Sequence, residues 1–234
     1  MTGRLGVNRS GLFSSELLRF AMARPREFDP DKVLQQAMQV FWAMGYEQAS
    51  LDDICAACGI SRSTLYSSFG DKRELLRRSL TRYTDEGTAR FRALLTDRPI
   101  REGLAAILDA FIDSIVAGPG RRGCFIGNCA AELARHDRQA LASVAHGMQR
   151  TESILHEALE SARARGELGP DADIRALARF FTAAFQGLRL VGKVNSNRRT
   201  LEDIAATTLQ VLQPYVTVDS RHRGKSCDAT SPAT

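Results

Sequence analysis

Residues Ser50 to Leu76, SLDDICAACGISRSTLYSSFGDKRELL, decide how this chain is read. Ser50 is placed to cap a helix, with Asp53 three residues on as a near-match to a reciprocal capping box. Leu51, Ile54 and Cys55 fall on one face of that helix. Gly59 stops it, because glycine takes the left-handed backbone of a C-terminal cap without steric cost. Ser61 caps a second helix, whose apolar contacts Leu65 and Phe69 stand one turn apart. Asp71 caps a third, and Glu74 is expected to complete a reciprocal box there. Helix, turn, helix is the geometry that lays its second helix into the major groove of DNA.

The residues left facing outward from the second helix are Arg62, Ser63, Thr64, Tyr66, Ser67 and Ser68. Arg62 matches guanine O6 and N7, the Ser63 and Thr64 hydroxyls match bases or phosphates, and the Thr64 methyl matches thymine. Tyr66 offers a hydroxyl to the DNA backbone, and Lys72 offers a charge and a free amide at a helix start. Ser50, Arg62, Ser63, Thr64, Tyr66, Ser67 and Lys72 form the candidate DNA-contacting set. The plain alternative is a helical hairpin with a solvated polar face.

The run GISRSTLYSSFGDKRELL resembles the DNA-binding signature of the tetracycline-repressor (TetR/AcrR) family of bacterial regulators. Upstream, DPDKVLQQAMQVFWAMGYEQASLDDICAACGI is similar to the first two helices of that family. The likeness covers Pro25 to about Arg78, with glycines, Tyr66, Phe69 and Lys72 in register. It implies an all-helical, homodimeric repressor whose C-terminal domain binds a small effector. It also implies that the last two helices pair with their twins in a four-helix interface, as a palindromic operator requires.

Composition fits this without demanding it. Of 234 residues, 44% are hydrophobic and 25% charged, ordinary for a globular chain, and the net charge is +5. Acidic and basic residues nearly balance through Leu80, so a positive patch must come from arrangement. No run approaches the roughly 18 apolar residues that span a bilayer, and no secretory signal is evident, so the expected location is the cytoplasm. Five cysteines without regular spacing argue against a disulfide framework.

The expected architecture is all-α with about nine helices. Residues 1–24 read as a leader, disordered or ahead of a natural start at Met22; its Arg4, Arg9 and Arg19 have a minor-groove reading. Residues 25–75 form the helix-turn-helix head, 76–214 the effector-binding and dimerisation domain, and 215–234 a disordered tail. Helix one opens at Asp29-Pro30 and ends at Gly45, with Trp42 packing beside its apolar stripe. Helix four runs from Lys72 to about Leu95 and is placed to transmit a signal to the head. Further helices follow over 100–117, from Cys124 to near Arg135, 138–165, 173–194 and 201–212. Gly118 to Gly123 is a loop, and Asn195 to Arg199 a turn.

Cys124 follows Arg121, Arg122 and Gly123 at the start of a helix, where cations and the helix dipole favour a thiolate. The segment GCFIGNCAAEL also resembles a Gly-Cys segment of several TetR-family regulators. That group includes the N-ethylmaleimide-responsive repressor, in which a late lysine assists the sensing cysteine; Lys193 is the matching position. The alternative is that Cys124 is a small buried hydrophobe. The expected effector walls are Phe111, Phe125, Phe181, Phe185 and the Cys124 region, for a small hydrophobic or electrophilic ligand. Cys55 and Cys58 form a C-x-x-C without a second pair and read as helix packing, so no metal and no cofactor is expected. Cys129 is expected to face the interior near Cys124. His136, His146, His156 and His222 are scattered, and Glu132 could line a pocket but has no evident partner. A Cys124-dependent enzyme is the remaining alternative, and it lacks a base.

Overall fold

A computed structural model gives the structure, which describes residues 28–134 and 137–216. The leader with Arg4, Arg9, Arg19 and Met22, the tail with His222 and Cys227, and His136 lie outside the described residues. Nine α-helices occur among those described. The head is α1 (Pro30–Met44), α2 (Leu51–Cys58) and α3 (Arg62–Phe69). The long α4 (Lys72–Leu95) leads to α5 (Ile100–Ala117), a 3-10 turn at Pro119–Arg122 and the short α6 (Phe125–Leu133). Then come α7 (Arg138–Ala164), α8 (Ile174–Val194) and α9 (Arg198–Gln210). Among the described residues the one pairing of extended type is an isolated bridge between Leu168 and Val216.

Local chemistry explains the boundaries. Asp29 accepts from the amide of Asp31 at 3.0 Å, with Pro30 behind it. Ser50 and Asp53 form the full reciprocal capping box, and Gly59 adopts the left-handed cap at φ 63°, ψ 32°. Ser61 caps α3 through the Thr64 amide at 3.1 Å. Asp71 caps α4 through the Glu74 amide at 2.7 Å, but the expected return bond is not made. The Glu74 carboxylate is drawn instead onto Arg77 at 2.6 and 2.7 Å and Arg78 at 2.9 Å. Bonds from Arg77 foremost, and then from Arg78, outweigh desolvation and hold Glu74 down at about 2.

Two boundaries differ from expectation. The last helix begins at Arg198 rather than Leu201, because Asn197 accepts from the Thr200 amide at 3.1 Å and caps it early. The chain also stays ordered past 214: Gln213–Tyr215 forms a 3-10 turn, and the Gly169 amide donates to the Tyr215 carbonyl at 2.7 Å.

Two apolar cores divide the molecule. One joins α5, α8 and α9 with Ile154, Leu155 and Leu159 of α7. The other belongs to the head, built on Val33, Ala37, Met38, Phe41, Ile54, Leu65 and Phe69. This second core does not stop at residue 75. It continues through Leu76, Leu80 and Tyr83 of α4 into Cys124, Phe125, Ile126, Cys129 and Leu133 of α6, and on to Ala140 and Val144 of α7. So α6 packs as part of the head's core, although 55 residues separate it in sequence from the end of α3. No single helix among the described residues is long and apolar enough to cross a membrane.

Candidate nucleic-acid interface and ligand cavity

On α3, Leu65 and Phe69 are buried, whereas Arg62, Ser63, Tyr66 and Ser67 are exposed and Thr64 is half-buried. Four of the expected residues therefore share one open face. Arg62 is not free on it: its Nε and Nη2 donate bidentately to Asp52 of α2, at 2.6 and 2.5 Å. That bond foremost lowers the Asp52 carboxyl below its ordinary value. Exposed pairs of this kind are weak, so the pair orients the guanidinium without locking it. The Thr64 hydroxyl stands 2.9 Å from Ser61 Oγ, and Ser67 Oγ donates to the Thr64 carbonyl at 3.1 Å. Ser50 is spent on its cap, accepting from the Asp53 amide at 3.1 Å and donating to Asp53 Oδ2 at 2.6 Å. Lys72 donates to the Glu47 carbonyl at 3.3 Å and lies 4.6 Å from the Tyr46 ring centre.

The same corner holds a contact that sequence reasoning missed. Glu132, on α6, accepts from the amides of Tyr46 at 2.9 Å and Glu47 at 2.7 Å, in the loop between α1 and α2. A carboxylate taking two backbone amides is a charge-assisted grip. Gly45 sits at φ 85°, where glycine is favoured, and a Cβ there would stand 3.1 Å from both carboxylate oxygens. Arg73 of α4 adds a second tie, donating to Asp137 at 2.8 Å and Gln139 at 3.1 Å at the start of α7.

Behind the head lies a cavity of about 390 Å³, within the size range of small-molecule sites. Its walls come from α1 (Gln39, Trp42), α4 (Tyr83, Phe91), α5 (Phe111, Ser114), the 3-10 turn (Arg122) and α8 (Phe185, Arg189), with Cys124 at the edge. Phe111, Phe185 and Cys124 are thus brought together. Phe125 and Phe181 are not: both are fully buried, Phe125 in the head core and Phe181 in the α5/α8/α9 core. Trp42 is more than stripe packing, since it joins the wall and meets Tyr83 edge-on at 5.1 Å and Phe125 at 6.0 Å.

Cys124 is buried and stands at the N-cap of α6 without making a side-chain cap bond. The Tyr83 hydroxyl donates to its Sγ at 3.8 Å, and Arg189 Nη2 donates to that hydroxyl at 2.6 Å. Burial foremost pushes the Tyr83 phenol up to about 12. Of the two preceding arginines, Arg122 bends away to Gln39 at 2.7 Å and to the Trp42 ring at 4.3 Å. Lys193 borders a separate outer groove of about 810 Å³ that Cys124 also lines. It donates to Asn128 at 3.0 Å and lies so close to Gly123 that a Cβ there would sit 2.7 Å from its Cδ.

The remaining described thiols are packing groups in their surroundings. Burial is the main cause in each case, pushing Cys55 up, Cys58 to about 11 and Cys129 to about 12. Cys58 donates to the Val33 carbonyl at 3.5 Å. Among the described residues no three His, Cys, Asp or Glu side chains are grouped to hold a metal ion. His146 is exposed, and His156 is half-buried, 4.0 Å from Glu160.

Arg189 was the other residue missed. It follows Phe185 by four on the inward face of α8, and a lone arginine in that register is a readable sign of a polar spot in an apolar wall.

Fold and site together define an all-α helix-turn-helix protein with a ligand-sized cavity set against the back of its head. Residues 33–78 match the bacterial regulatory proteins of the tetR family, and residues 101–208 match the tetracyclin repressor-like C-terminal domain. The HTH-type transcriptional repressor ComR of Escherichia coli (strain K12) is 32% identical over 202 residues, 85% of this chain and 95% of ComR. A cysteine mutant of the TetR family transcriptional regulator CifR, solved with 26 bp double-strand operator DNA, is 30% identical with a TM-score of 0.73, covering 80% of this chain and 98% of that one. The reduced form of E. coli NemR shares the fold, at 18% identity and a TM-score of 0.70 over 80% of this chain and 97% of that one. The chain belongs to the TetR family and is a transcriptional regulator. Membership in a family of regulators replaces the enzyme reading of Cys124.

Proposed function

We propose that this regulator is a cytoplasmic, homodimeric repressor that binds a palindromic operator through α3 and is released when a small effector occupies the cavity. The observation that carries this reading is the cavity's position. Its walls include Trp42 of the head, Tyr83 of α4 and Cys124 at the start of α6, and the far end of α6 holds the head through Glu132. An occupant that moves α6 or α4 moves the head with it. A coupling of about 1–3 kcal/mol, roughly 5- to 150-fold, is enough for a switch. Arg62, Ser63, Thr64, Tyr66 and Ser67 read the groove, Lys72 holds the backbone, and Ser50 acts by fixing α2. Phe180, Leu190 and Val194 of α8 stay exposed on the single chain; pairing with a second copy through α8 and α9 covers them. The dimer sets two heads about one helical turn apart, ~34 Å.

The test is a gel shift against the DNA flanking the protein's own reading frame, with a scrambled duplex as competitor. A specific shift at nanomolar protein supports the proposal. Equal competition by the scrambled duplex contradicts it.

A second reading has its own observation. Cys124 sits at the end of a hydrogen-bond relay from Arg189 through Tyr83 and shares its outer groove with Lys193. In this reading its sulfur adds to an electrophile and the adduct displaces α6, placing the protein in the Gly-Cys subgroup. Cys124→Ser should then keep operator binding but lose release by quinones or aldehydes. Release at the wild-type dose contradicts it.

A further inference from the structure

We infer that the cavity takes an amphipathic organic anion, a carboxylate or similar group on an apolar body, with Arg189 as its anchor. This rests on reading the cavity as the effector site. Three independent features of the wall point the same way.

Arg189 is half-buried on the cavity wall, and among the described residues it forms no ion pair. Its recorded bonds all leave from Nη2, to the Tyr83 hydroxyl at 2.6 Å and the Gly123 carbonyl at 3.4 Å. A guanidinium carries five N–H donors, so most of its capacity is unmet by the described residues at a position that lines the cavity. The ionisable groups beside it are a phenol and a thiol. A guanidinium stays cationic at any ordinary pH, and burial is the main influence opposing that charge here. A partly buried cation without a counter-ion is unfavourable, and an anionic ligand supplies what the chain withholds.

Trp42 supplies the second feature: its indole Nε1 is buried with no hydrogen-bond partner, on the same wall. Indole N–H is a donor only, so it asks for an acceptor. The third is the charge balance of the lining. Arg122 is also without an ion pair among the described residues, and the acidic residue of the lining, Glu86, is already paired with Arg82 at 2.9 Å. A cationic ligand is repelled here, and a neutral hydrocarbon leaves buried donors unmet.

The rest of the ligand is set by the aromatic side. Phe91, Phe111 and Phe185 meet edge to face, with ring centres 5.6 to 5.9 Å apart. The Arg189 guanidinium lies 4.9 Å from the centre of Phe111, so the charged spot and the apolar wall are contiguous. The anionic group lies toward Arg189 and Trp42, and the apolar body toward the three phenylalanines.

Trp42 is the one tryptophan of the chain, so its fluorescence reports occupancy without DNA. The experiment titrates the full-length protein with decanoate and with decanol, then repeats both with Arg189→Gln and Arg189→Lys. Decanoate is expected to bind at least about tenfold more tightly than decanol, which is about 1.4 kcal/mol. Arg189→Gln should bring the two within about twofold, and Arg189→Lys should keep the preference. Equal affinities in the wild type, a preference unchanged in Arg189→Gln, or no saturable response to decanoate each overturns the inference. If Arg189→Gln does not fold, the wild-type ratio decides. A protein that shifts its operator but ignores the charge of the probe loses this inference and keeps the regulator reading. One that prefers decanoate through Arg189 but binds no operator does the reverse.

Discussion

The short helices α3 and α6 are eight and nine residues long, yet they are held in opposite ways. What bounds α3 lies close by in sequence: Ser61 caps it and Gly59 turns the chain into it, while Leu65 and Phe69 anchor it in the head core. Its outer face is left to solvent. In contrast, α6 has no side-chain cap at its start, and its residues meet partners far away in sequence. Phe125 packs on Trp42 and Tyr83, and Glu132 holds amides 85 and 86 residues distant. A recognition helix has to be rigid and outward-facing, so local rules suffice to build it. A helix that enters a core from far along the chain is defined by the packing it meets there.

This contrast predicts separate consequences for substitutions on each helix. The largest effect is expected for Phe125→Ala, which empties a fully buried aromatic site and should cost about 3–5 kcal/mol of stability. Because Phe125 belongs to the head core, denaturant unfolding should show α1 and α6 lost together. An effect confined to α5, α8 and α9 would break the comparison. Next is Glu132→Gln, which weakens a grip on two amides and should cost about 1–3 kcal/mol. It should also lower operator affinity although Glu132 lies off the α3 face, as an anisotropy titration would reveal. Arg62→Ala should leave the unfolding midpoint in place while lowering operator affinity by about tenfold or more, with the loss concentrated at one base pair. The smallest change is expected for Asp52→Asn, which releases Arg62 from its ion pair. Affinity for operator and for random duplex should both rise by about twofold, with a slightly steeper salt dependence.

The sequence exposes these two regions unequally. The helix-turn-helix was legible to the residue because caps and glycines act within one or two turns. The walls of the cavity were only partly so. An apolar side chain on an inward face is buried either in a core or against a void, and periodicity cannot choose; hence Phe111 and Phe185 reach the cavity while Phe125 and Phe181 do not. Glu74 illustrates a different gap: a box geometry allowed by spacing lost to two arginines one turn on. For Glu132 the signal was absent, since its partners are main-chain amides that leave no trace in residue type. For Arg189 the sign was present, four residues after Phe185 on an apolar face.

The central claim is that α6 belongs mechanically to the DNA-binding head and carries the state of the cavity to it. The most direct measurement is segment-resolved hydrogen exchange of the full chain, with and without its operator duplex. The account predicts slowed exchange in α3 and in the amides of Tyr46 and Glu47. It also predicts slowing in α6, which carries none of the candidate DNA-contacting residues, and the α6 part should vanish in Glu132→Gln. Protection confined to α1, α2 and α3, with α6 exchanging alike in both states, would contradict it.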